Sequence, residues 1–176
     1  DTVLSTSRSR VPWLIVNLAT AFISASVIGF FGATIEQMVA LAALMPIVAS
    51  LGGNAATQTM TVTVRALATR DLDIHNSGRV IRREVLVGLL NGIVIAFCIG
   101  TIAGVWFHNV DLGLVIAVAM VITLLAAALA GILLPLLLHR LGADPAISSS
   151  IFVTTATDVI GFLTFLGLAS WWLHLG

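Results

Sequence analysis

Residues 112–138 read LGLVIAVAMVITLLAAALAGILLPLLL, a run without one charged side chain. About 20 apolar residues carry a helix across the hydrocarbon core of a bilayer, so this stretch is long enough to span a membrane by itself. The alanines at 126–128, with Ala130 and Gly131, suit close packing against other helices. The rest of the chain has the same character: 59% of its residues are hydrophobic and 9% are charged. Soluble domains carry roughly 25% charged residues. A mean hydropathy of +1.12 over 176 residues is a membrane composition, with room for about five crossings and short loops.

Outward from 112–138, the pattern predicts an all-α protein with five spans. They run at about 11–31, 38–67, 85–107, 112–138 and 146–173. Trp13 is placed as an interfacial anchor, a short loop carries Glu36, and Arg79, Arg82 and Arg83 form an amphipathic lead-in to the third span. Residues 1–10 are polar, and the chain begins Asp1-Thr2-Val3 without methionine, as a fragment of a longer protein does. The first run has no signal-peptide cleavage pattern and is too long for a signal core.

Five spans put alternate loops on opposite sides. The N-terminal segment, residues 68–84 and the turn at 139–143 then share one side with Arg65, and together they hold every arginine of the chain. Arginine-rich loops stay cytoplasmic. The expectation is therefore a bacterial inner-membrane protein with its N-terminus inside and its C-terminus outside. The formal net charge of zero gives no field for nucleic acid. The single cysteine, Cys98, supports no disulfide framework and reads as a small buried hydrophobe.

Asp158, in Thr154-Thr155-Ala156-Thr157-Asp158-Val159-Ile160-Gly161, lies near the middle of the fifth span. A carboxylate at that depth costs at least about 2.5–3.5 kcal/mol, and intramembrane carboxylates mark ion or proton passage. No Lys or Arg shares its depth. Ser150, Thr154 and Gly161 fall on its helix face, as a wet wall or as a close-packing helix interface. The alternative for Asp158 itself is a protonated carboxyl hydrogen-bonded inside the bundle. In the second span, Gly52-Gly53-Asn54 is expected to break or loosen the helix, unless it makes a glycine-mediated helix contact. Asn54, Thr57, Gln58, Thr61 and Arg65 follow at helical spacing. Hard oxygen donors without Cys or His at that depth favour Mg²⁺, Ca²⁺ or Mn²⁺ over zinc or copper. An aspartyl protease would need a second carboxylate and a serine protease a histidine at depth; neither is there, so no enzyme is expected.

Pro46-Ile47-Val48-Ala49-Ser50-Leu51-Gly52-Gly53-Asn54-Ala55-Ala56-Thr57-Gln58 resembles the P…GGNxGxQ segment of the MgtE magnesium channels. The likeness continues through Arg65–Leu72, Asp144-Pro145-Ala146 and Thr154–Gly161, with departures at Ala55-Ala56 and Ser150. The resemblance implies a Mg²⁺ channel, a homodimer with its pore on the two-fold axis between the second and fifth spans. In that picture Asp158 and the Thr154 backbone carbonyl serve the ion, and Asp144 stands at the cytoplasmic mouth. Gly53, Asn54, Thr57, Gln58, Ser150 and Gly161 line the pore. It also implies N-terminal and CBS regulatory domains, with residues 1–10 as the end of a connecting helix. The acids on the arginine side, Asp71, Asp73, Glu84 and Asp144, form no sensor cluster. This chain is thus expected to keep the pore and lose most closure by internal Mg²⁺. The other readings are a proton- or cation-coupled secondary transporter using Asp158, and a non-conducting membrane anchor.

Overall fold

A computed structural model describes residues 2–72, 75 and 77–175; Asp1, Asp73, Ile74, Asn76 and Gly176 lie outside the described residues. The described elements are all helical: α1 (Val3–Phe30), α2 (Gly32–Gln37), α3 (Ala40–Ala68), α4 (Ser77–Trp106), α5 (Val110–Arg140) and α6 (Pro145–Trp172). Five of them, all but α2, are long and apolar enough to cross a membrane. Each expected span lies within or nearly within one long helix. Several helices are longer than expected at their polar ends, because helix formation needs only satisfied backbone and not an apolar surround. α1 starts at Val3, with the Thr2 hydroxyl accepting from Ser5 N–H as an N-cap, and α4 takes in the arginine lead-in from Ser77. The loop carrying Glu36 is itself the short helix α2.

The least polar helix takes the centre. α5 packs against α3, α4 and α6, and Val115, Ile116, Ala119, Met120, Ala127 and Ile132 on it are fully buried. α4 lies on α5 through a ladder of small residues. A Cβ added at Gly88 would stand 2.8 Å from the Ala128 Cβ, and one at Gly100 would stand 3.0 Å from the Gly113 carbonyl oxygen. One added at Gly113 would stand 2.5 Å from the Gly100 carbonyl oxygen. The two backbones therefore approach at distances only glycine allows. α1 stands apart: it packs chiefly on α6, and Ser24 is its only buried residue.

The expected break at Gly52-Gly53-Asn54 is absent, and α3 runs unbroken from Ala40 to Ala68 through both Pro46 and the glycine pair. The glycines serve packing instead. A Cβ at Gly52 would come 2.9 Å from Thr123 Cγ2 of α5 and 3.6 Å from Thr157 Cβ of α6. The glycine-mediated helix contact is thus the reading that holds for Gly52. Intact i→i−4 bonding also leaves no freed carbonyls there to act as ligands.

The ends of the bundle sort as the arginines require. Arg70, at the end of α3, lines one cavity with His139 and Arg140 at the end of α5. Arg10 of α1 lines another with Ile147 and Ser150 in the first turns of α6. Cationic residues distant in sequence thus gather at one end of the molecule.

Candidate functional site

α6 starts where the sequence specifies it. The Asp144 carboxylate accepts from Ala146 N–H at 2.9 Å as an N-cap, Pro145 occupies the first turn, and Ser148 Oγ donates to the Asp144 carbonyl at 2.7 Å. Asp144 is exposed, and one of its carboxylate oxygens is engaged in capping.

Beyond this cap, α6 runs antiparallel to α3 in a register read directly from contacts. Gly161 meets Val48, with a Cβ there 3.0 Å from Val48 Cγ1; Thr157 meets Gly52; and Val153 packs with Ala56. Four residues forward on one helix match four back on the other. Successive helical residues turn by about 100°. In an antiparallel pair, one step forward on both helices therefore turns both side chains to the same side of the contact. From Gly52 and Ala56 the step reaches Gly53 and Thr57; from Val153 and Thr157 it reaches Thr154 and Asp158. α5 occupies the opposite side, where Gly131 abuts Thr59 and the Ala56 carbonyl and where Leu124 lies beside Leu51 and Ala55. Gly53, Thr57, Thr154 and Asp158 thus share the side turned away from the core. Thr57 and Thr154 are exposed, and Gly53 and Asp158 are half-buried.

α1 bounds this side. Ser9, Arg10, Trp13 and Asn17 of α1 face Ser150, Ile151 and Thr154 of α6 across a groove of about 890 Å³. The result is a trough with α6 as its floor and α3 and α1 as its rims. Asn17 was not singled out from the sequence. Its signal was there, as the one amide inside the first apolar run, but only the packing of α1 on α6 brings it beside Thr154.

Two hydroxyls along this side, and that of the buried Thr157 beneath it, are engaged with backbone. Thr57 Oγ1 donates to the Gly53 carbonyl at 2.8 Å, Thr61 Oγ1 to the Thr57 carbonyl at 2.8 Å, and Thr157 Oγ1 to the Thr154 carbonyl at 2.9 Å. The Thr154 carbonyl therefore already accepts from a hydroxyl besides its place in the helix. An ion could reach it directly only after the buried Thr157 hydroxyl turned away; an ion's water shell could still meet the Thr154 and Thr57 hydroxyl oxygens. Among the described residues, no three of His, Cys, Asp or Glu gather as a metal cage.

Three expected pore positions lie off this side. Gly161 is buried between α6, Val48 and Thr123, because it lies on the contact ridge itself and not one step beyond it. Asn54 and Gln58 are turned two residues past that ridge. They line a groove with Asn91, Val94 and Ile95 of α4, away from Asp158. Asn91 and Gln58 also line a second groove with Glu84. Cys98, expected to be buried, is exposed on α4, where an apolar thiol suits a lipid-facing surface.

Five helices long and apolar enough to cross a membrane, one of them carrying a carboxylate at its middle beside a row of hydroxyls, define a multi-pass membrane protein. Residues 45–168 match the model of the MgtE divalent cation transporter family. The chain belongs to the MgtE family, which is one of transporters and not of enzymes. It is 39% identical over 171 residues to the magnesium transporter MgtE of Enterococcus faecalis, covering 97% of this chain and 38% of the relative. It is 35% identical over 165 residues to that of Bacillus subtilis, covering 94% and 37%. The protein of that name from Thermus thermophilus is 39% identical over 162 residues, covering 92% of this chain and 36% of its own length. The chain thus spans a little over a third of the length of the curated relatives it matches.

Proposed function

We propose that this chain forms the membrane pore of a Mg²⁺ channel, with two copies closing their troughs on each other about a two-fold axis. The observation that carries this reading is the shared side of Gly53, Thr57, Thr154 and Asp158, turned away from α5 and lined by hydroxyls. The names of the three relatives, all magnesium transporters, support the choice of ion. One Asp158 faces the charge of a divalent ion with half of what neutrality needs. A two-fold axis beside α6 supplies the second carboxylate, and an ion between them relieves their mutual repulsion. Mg²⁺ gives up its water reluctantly, so Asp158 and the Thr154 and Thr57 hydroxyls act on a hydrated or partly hydrated ion. Asp144, at the arginine-rich end, combines its cap with a negative charge at the entrance. In this reading the arginine-rich end is cytoplasmic, and α1, helical from Val3, continues the connection to regulatory domains.

The test is Mg²⁺ uptake by the Asp158→Asn variant in a strain lacking its own magnesium transport. The substitution keeps shape and removes both charges of the pair. Uptake is expected to fall at least tenfold at equal membrane expression. Wild-type uptake by the variant would remove Asp158 from the ion path.

A further inference from the structure

At the arginine-rich end, the termini of α3 and α5 enclose a cavity of about 540 Å³ that the ion path does not use. Arg70, His139 and Arg140 supply its polar lining, and Leu67, Leu72 and Leu136 its apolar lining. No carboxylate lines it among the described residues. The nearest acid in sequence, Asp71, instead accepts from Thr69 Oγ1 at 2.5 Å. Leu72 is buried, folded back by Asp71 and Leu72 N–H bonds to the Ala66 carbonyl at 3.0 and 3.2 Å. This is a helix-ending turn in which the αL position is usually glycine. Here Arg70 occupies it, at φ 60. A side chain in the left-handed region costs roughly 1 kcal/mol relative to glycine, and this one carries a fixed positive charge to the cavity.

We propose that this cavity binds the phosphate of an anionic phospholipid. Two fixed positive charges converge on it from different helices, and basic pockets between membrane helices suit such headgroups. The leucines choose the lipid over a free phosphate: they give the glycerol and first methylenes an apolar wall, and α3 and α5 both continue from the cavity into the membrane. A lipid seated there joins the ends of α3 and α5, so it braces one wall of the trough against the central helix.

The purified chain in detergent is titrated with phosphatidylglycerol, phosphatidylcholine or inorganic phosphate, and bound molecules are counted by native mass spectrometry. The wild type is expected to hold phosphatidylglycerol at least tenfold more tightly than phosphatidylcholine. Arg70→Gly removes a charge while easing the backbone, so it tests the site without threatening the fold. It and Arg140→Gln are each expected to weaken phosphatidylglycerol about fivefold, and the pair roughly 30-fold, the worth of one and two arginines at a membrane surface. Arg140→Lys keeps the lipid, and Arg8→Gln, on exposed α1, leaves it unchanged. Equal affinity for the two lipids, an Arg70→Gly/Arg140→Gln variant that still binds like wild type, or equal loss in Arg8→Gln would overturn the site. Displacement of the lipid by inorganic phosphate, with the same sensitivity to Arg70→Gly, would overturn the lipid as its ligand.

Discussion

Asp158 is the residue on which the reading turns, yet its neighbour Thr157 decides how an ion can be held. Thr157 is buried, and its hydroxyl spends its proton on the Thr154 carbonyl at 2.9 Å. If the ion keeps its water and is met by Asp158 and the exposed hydroxyls, this bond is only structural. Thr157→Val then removes the donor without opening space and leaves Mg²⁺ uptake within about twofold of wild type. The buried carbonyl keeps its helix bond, so the stability loss stays near the net worth of one hydrogen bond, about 1 kcal/mol. A loss of uptake as deep as that expected for Asp158→Asn would show instead that Thr157 serves the ion. The same attention to partners recasts Asp144. The family resemblance implies a charge at the entrance, while its geometry makes it first of all the cap that starts α6.

At the scale of helices, glycines with the same name do different work. Gly113 lies where a Cβ would stand 2.5 Å from the Gly100 carbonyl oxygen, whereas a Cβ on Gly53 meets nothing within 4 Å. Gly113→Ala must push α5 from α4 and is expected to cost about 1–3 kcal/mol. Gly53→Ala is expected to leave stability unchanged, while adding a methyl to the trough beside Thr57 and lowering uptake. Thermal unfolding in detergent, read beside uptake, separates the two; a destabilised Gly53→Ala with normal uptake would contradict the placement of Gly53. This contrast also marks what the sequence made legible. The five spans, the suitability of α5 for close packing and the shared end of the arginines followed from apolar run length, small-residue spacing and charge alone. The helical stripe through Asn54, Thr57 and Gln58 did not resolve into faces, because one step of about 100° separates Thr57, on the side of Asp158, from Gln58, which faces α4 across a groove. Nor could run length distinguish a glycine pair that breaks a helix from one that lets Thr123 and Thr157 approach it. Both answers lie in which neighbour each ridge touches, and that is a property of the assembled bundle.

For the whole molecule, two predictions follow from what a single copy leaves open. A reporter fused after Gly176 is expected outside the cytoplasm, since α6 begins at the arginine-rich end and runs away from it; a cytoplasmic signal would invert the topology. The second concerns the partner. The trough exposes Ser150, Thr154 and part of Asp158 on a helix long and apolar enough to cross a bilayer, and polar groups facing lipid are costly. α1 covers it from one side only and buries almost nothing of its own. A second copy placed trough to trough satisfies both deficits: the hydroxyl faces enclose water, and the two α1 helices gain a surface to pack on. Small side chains at Ser150 and Thr154 leave room for this approach, and the symmetry brings each residue opposite its own copy. In a Cys98→Ser background, Ser150→Cys and Thr154→Cys are therefore expected to join two chains through a short bis-thiol reagent in membranes, within seconds and in high yield. Phe97→Cys, on the exposed outer face of α4, is expected to leave the chains separate under the same conditions. A ladder from Phe97→Cys with none from the trough positions would move the axis to α4 and leave each Asp158 without a twin, and with it the proposed two-carboxylate ion path would fall.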